Sequence, residues 1–194
     1  MSGLRPQVTI KTSQPFQRDI IQEHFKEEEM QEIMDYRDQL IEQLTRNLEA
    51  LDEMERISGL EFMDITLDVW VFQGRDSAVP SPLMVPMRGS LQASLMELMY
   101  LIAKELIYEN KMELEDHPML EAGEEKLDVI AGMLAYRALE ETETQRNIEE
   151  TLKKKPFSNQ DKTWDLVREK VGEWKEKDQS LLEFLGIEKI EREE

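Results

Sequence analysis

Forty-three carboxylates and almost no other reactive side chain set the chemistry open to this 194-residue chain. It has no cysteine, and its two histidines are His24 and His117. Thiolate metal sites and cysteine nucleophiles are therefore excluded, and a histidine-based triad or zinc site has almost nothing to draw on. No glycine-rich phosphate loop, G-x-S-x-G elbow or H-E-x-x-H stretch occurs. What remains is carboxylate chemistry. Clustered Asp and Glu can hold Mg²⁺, which takes oxygen ligands and keeps waters for phosphate substrates. Glu97, Glu105 and Glu109 share one expected helix, and Glu125 and Asp128 stand one turn apart on the next. An enzyme reading takes Glu97, Glu105, Glu125 and Asp128 as Mg²⁺ ligands. The competing reading is of solvated acidic helix faces, which a chain this acidic produces readily.

The spacing of the second pair resembles a known pattern. All-α nucleoside triphosphate pyrophosphohydrolases of the MazG and dimeric dUTPase type carry E-E-x-x-E on one helix and E-x-x-D on the next. Glu125-Lys126-Leu127-Asp128-Val129 is similar to the second half, including the apolar run behind it. With Glu97 as the last Glu of the first half, the preceding pair falls on Ala93 and Ser94. The resemblance thus implies an all-α Mg²⁺ site short of ligands, in a degenerate enzyme. A literal E-E-x-x-E occurs at Glu28, Glu29 and Glu32, with Glu61 and Asp64 further on, but Glu61 and Asp64 enter a strand pattern.

The net charge of −19 argues against direct nucleic-acid binding and against an anionic membrane surface, since both are read through clustered Lys and Arg. It suits a soluble, cytoplasmic protein whose partner, if charged, is basic. The N-terminus lacks a signal-peptide run, and no stretch has the ~18 uninterrupted apolar residues a spanning helix needs.

Periodicity places the elements. Leu91, Leu95, Leu98, Leu101, Ile102, Leu106 and Ile107, widened by Met96, Met99 and Tyr100, predict a helix buried on several sides. The rest of the chain is organised around it. Met30, Met34, Ile41, Leu44, Leu48 and Leu51 recur at spacings of three and four with Arg37 the only interruption, predicting a long amphipathic arm over 16–57, bent near Glu27–Glu29 or paired with a partner. Ser58-Gly59 stops it. Residues 61–72 alternate as a half-buried strand, with 7–12 as its partner. The proline-rich 74–89 stretch predicts an ordered loop. Trp164, Val167, Val171 and Trp174 line a helix over 161–176, and a last helix over 180–186 ends at a glycine.

The expected fold is mainly α, a multi-helix bundle around a central apolar helix with a small two-stranded β element. One domain spans 1–194: the arm at 16–57, the strand, loop and central helix pair at 58–142, and the C-terminal helices at 143–194. The function these features favour is that of an acidic helical interaction or assembly protein without catalytic activity or cofactor. It would self-associate as a homo-oligomer through the arm or through Met84 and Met87 of the loop. The acidic 109–125 connection, with Glu113, Glu115 and Asp116, would meet a protein partner. One alternative is an inhibitor or nucleic-acid mimic that blocks a basic groove, and the other is the Mg²⁺-dependent pyrophosphohydrolase.

Overall fold

The computed structural model describes residues 7–12, 27–63, 66–72, 79–80, 83–87, 90–110, 126–142 and 161–187. Among these the protein is mainly α, as expected, with six helices and one small sheet.

The arm is not continuous. Helix α1 covers Glu27–Arg46 and α2 covers Glu49–Ser58, with a turn at Asn47 and Leu48 between them. Asn47 is buried, and its side-chain amide donates to the Gln43 carbonyl at 2.8 Å. An Asn that bonds the backbone one turn back competes with the helical ladder, which places a break here. Residues 16–26 of the expected arm lie outside the described residues. Gly59, in the left-handed region at φ 78°, ends α2 by donating its N–H to the Glu55 carbonyl, as Ser58-Gly59 predicts.

The β element is larger than two strands. Strand β1, Gln7–Thr12, runs parallel to β2, Thr66–Phe72, as expected partners. Then β3, Val79–Pro80, and β4, Leu83–Pro86, complete a sheet of order β1-β2-β4-β3. Both extra strands fall where the prolines predict a loop. Pro80 and Pro86 stand at strand ends, where a missing N–H is tolerated. The ladder continues past Pro86 through Met87 N–H to the Phe72 carbonyl at 2.8 Å. Ile10, Leu67, Val69, Val71, Leu83 and Val85 form the buried inner face, against which α1 and α3 pack.

Helix α3, Leu91–Glu109, starts at Ser90, whose side chain accepts from the Ala93 N–H. It touches α1, the sheet and helix α4, Lys126–Thr142, so the expected central position is correct. Leu98, Met99, Leu101, Ile102 and Leu106 are at most 1% exposed, and each such side chain contributes roughly 1.5–3 kcal/mol by burial. Helix α5, Asp161–Lys175, lays Trp164, Val167, Val171 and Trp174 on α4, and α6, Leu181–Leu185, packs on α2. Gly132 of α4 lets α5 approach, because a Cβ there would lie 2.8 Å from Val167 Cγ2. No helix of the described residues is long and apolar enough to cross a membrane.

Candidate functional site

Helix α3 carries a line of polar side chains through its apolar surface: Ser94, Glu97, Tyr100 and Lys104. The three- and four-residue steps keep them on one side of the helix. Ser94 and Glu97 are fully buried. The Ser94 hydroxyl bonds Tyr36 Oη of α1 at 2.6 Å and the Pro86 carbonyl at 3.3 Å, joining α1, β4 and α3. Further along, the Tyr100 hydroxyl donates to Asp128 Oδ1 of α4, and Lys104 Nζ reaches the same oxygen at 2.5 Å. Lys104 also lies 5.3 Å from the Tyr100 ring centroid. Asp128 is 6% exposed, so its charge would be costly without these two donors.

The structure therefore brings Asp128 against α3, with Glu97 buried and Glu105 half-buried on α3, while Glu125 lies outside the described residues. Among the described residues no group of three or more Asp, Glu, His or Cys is placed to hold a metal ion. The side chains bonded to Asp128 Oδ1 include a lysine. A Mg²⁺ at this carboxylate would have to displace the Lys104 ammonium. Lys104, Tyr100 and Tyr36 were not singled out in the sequence as polar partners. The available signal was a serine, a glutamate and a lysine recurring in a helix otherwise apolar enough to be buried.

Helix α4 holds a second buried charge. Arg137 is 8% exposed, with its guanidinium 4.2 Å from the Trp174 ring centroid of α5. Its nearest carboxylate oxygen among the ion pairs, Glu141 Oε1, stands 3.9 Å from Nε, beyond hydrogen-bond reach. Nε and Nη1 are both buried without an acceptor. Beside it Lys175 Nζ lies 2.7 Å from Glu140 Oε2, an ion pair between α5 and α4 whose geometry leaves that buried oxygen without a hydrogen bond. The Arg56 guanidinium of α2 is held above its usual pKa, chiefly by its hydrogen bond to Glu53, with the charges of Glu53, Glu141 and Asp178 adding.

Two surfaces complete the picture. On the outer face of the sheet, Lys11, Trp70 and Met84 stand in register across three strands. Lys11 Nζ is 2.5 Å from Asp68 Oδ2 and 5.5 Å from the Trp70 ring centroid. Trp70, Phe72 and Met84 are half-buried, and among the described residues they stand apart from the hydrophobic core cluster. Met87 instead packs against that core, so the two loop methionines have separate surroundings. On α1 and α2, Glu32, Asp35, Asp38, Glu42, Glu49 and Asp52 are exposed, with Ile41 38% exposed among them. Glu113, Glu115 and Asp116 lie outside the described residues.

Comparison of the chain with family models, curated proteins and solved structures finds no match.

Proposed function

We propose that this is an acidic assembly protein without catalytic activity, self-associating through the outer face of its sheet and offering the acidic side of α1 and α2 to a basic protein partner. The observation that carries the reading is the Lys11–Trp70–Met84 row. Three of the four strands run parallel, and parallel sheets are almost always covered on both faces. Helices α1 and α3 take the inner face, whose side chains belong to the core. The outer face presents Trp, Phe and Met, residue types enriched at interfaces.

A second copy suits that face better than a charged stranger. An interface with two-fold symmetry must complement itself, and Lys11 beside Asp68 supplies both signs around the apolar row. Elsewhere the net charge of −19 sets copies against each other. The acidic α1–α2 side, with Ile41 as its apolar contact, is then left for a partner of opposite charge.

Sedimentation of the full chain at micromolar concentration tests this. The expected result is an oligomer that persists at high salt, because apolar burial carries it. Trp70→Asp and Met84→Asp should each weaken association by about 2 kcal/mol or more, roughly thirty-fold. A wild-type monomer, or an oligomer indifferent to both substitutions, would remove the reading.

A further inference from the structure

The sheet ends in two edges that differ. At one, β3 is only Val79–Pro80, and a short edge strand with a proline denies a further strand its hydrogen bonds. At the other, β1 runs six residues, Gln7–Thr12, without a proline, and among the described residues no strand pairs with its outward side. We propose that this edge takes an extended segment of a basic partner protein as a further strand of the sheet, beside the adjoining flank of α1. The proposal rests on the basic partner inferred above and says how that partner is gripped.

Alternate residues of β1 turn their N–H and C=O groups away from β2, a row of donors and acceptors that an added strand would satisfy. A lysine on an edge strand commonly obstructs such pairing. Lys11 is turned the other way. Its ammonium lies 2.5 Å from Asp68 and 5.5 Å from the Trp70 ring centroid, both on β2.

Helix α1 supplies the wall. It packs over β1 and β2, while α3 packs over β4 and β3. The Tyr36 hydroxyl bonds Ser94 of α3, which fixes the flank of α1 that faces the middle of the sheet. At ~100° per residue, Met34, Asp38, Ile41 and Thr45 stand within roughly 40° of the opposite side. Asp38, Ile41 and Thr45 are exposed and Met34 is half-buried. Met34 and Ile41 offer apolar contact to alternate side chains of an added strand. The charge of the helix selects the rest, since α1 carries seven carboxylates against two arginines, and Arg37 holds Asp38 through one oxygen only. The same charge disfavours a second copy of β1. Two-fold pairing of edge strands would set two α1 helices of like charge side by side.

The test titrates the full chain with an end-blocked, eight-residue peptide of alternating valine and lysine, labelled for anisotropy. A peptide of alternating valine and glutamate is compared at equal ionic strength, and hydrogen exchange of the β1 amides is followed in the same samples. Saturable binding of the lysine peptide is expected, at least tenfold tighter than that of the glutamate peptide, with slowed exchange at alternate residues of β1. Ile41→Lys should weaken binding at least tenfold. No saturable binding overturns the proposal. Binding that leaves β1 exchange unchanged also overturns it, and would put the peptide on the acidic α1–α2 side alone. Slow exchange of every β1 amide before peptide is added, relaxing on dilution, would assign the edge to a second copy and overturn it too. Sedimentation of the same samples judges self-association separately. An oligomer that binds no peptide removes only the β1 proposal, and peptide binding to a monomer removes only self-association.

Discussion

Helix α4 buries two charges, and their surroundings differ. Asp128, at its N-terminal end, is met by a hydroxyl and an ammonium from α3, both on one oxygen. Arg137, two and a half turns later, has an aromatic face and a carboxylate just beyond hydrogen-bond distance. The first joins two helices and is answered within the fold. The second keeps donors for which the described fold supplies no acceptor. A buried charge is weak evidence of function when the fold satisfies it, and stronger evidence when it does not.

The largest expected effect comes from breaking the satisfied site. Lys104→Met would leave the Asp128 carboxylate buried with the neutral Tyr100 hydroxyl still donating to it, and removing one partner of a buried pair typically costs 3–5 kcal/mol. Lys104 keeps 18% of its side chain exposed, so the cost should lie toward the lower end, about 3 kcal/mol. Arg137→Met should behave differently. It removes donors already without acceptors and the cation–π contact together, and stability should stay within about 1 kcal/mol of wild type. Urea midpoints of the two variants, taken at equal slope, decide the matter. Equal losses would mean that the two buried charges are equivalent.

Neither site could be read fully from the sequence, for a common reason. Tyr100 and Lys104 meet Asp128 across 28 and 24 residues, and nothing local to either helix encodes that register. Local signals fared better. The period of α3, the Gly59 stop, the Trp164–Trp174 stripe of α5 and the Ser180 and Gly186 ends of α6 each act within a few residues. The break at Asn47 escaped because Leu44, Leu48 and Leu51 keep helical spacing through the turn. Strand β4 escaped because Pro80, Pro82 and Pro86 read as loop punctuation, while Leu83 and Val85 were already alternating inward.

Between the two charges lies Gly132, which tests whether they can be disturbed separately. A Cβ there would sit 2.8 Å from Val167 Cγ2 and 3.2 Å from Trp164 Cζ3, both on α5. Neither a β-branched side chain nor an indole ring yields easily, and overpacking of this kind costs about 1–3 kcal/mol. The better helix propensity of alanine offsets ~1 kcal/mol, so Gly132→Ala should lose up to about 2 kcal/mol net. Because the strain falls on α5, it should move Trp174 away from Arg137 and leave the Asp128 contacts with α3 intact. Amide and side-chain NMR shifts that change near Arg137 but not near Tyr100 and Lys104 are expected. Equal changes at both would show that α4 moves as a body.

The smallest effect should come from an exposed charge that is already satisfied. Glu183 closes the capping box of α6, accepting from the Ser180 N–H and hydroxyl, both at 2.8 Å. Its pKa is lowered from 4.5, first by the backbone hydrogen bond from Ser180 and then by the side-chain one. A carboxylate with a depressed folded-state pKa contributes stability that is fully present above its unfolded value and is lost as pH falls through the folded one. Its contribution should therefore be constant at neutral pH and fade below about pH 4.5. Glu183→Gln keeps an acceptor and removes the charge, so its neutral-pH loss should be the least of these substitutions. Its acid branch should be flatter than the wild type's. Burial explains the order, since Glu183 is in water in both the folded and unfolded states and Asp128 in only one. A loss at neutral pH larger than that of Lys104→Met would show that helix capping, rather than the desolvation of charge, sets the stability of this end of the molecule.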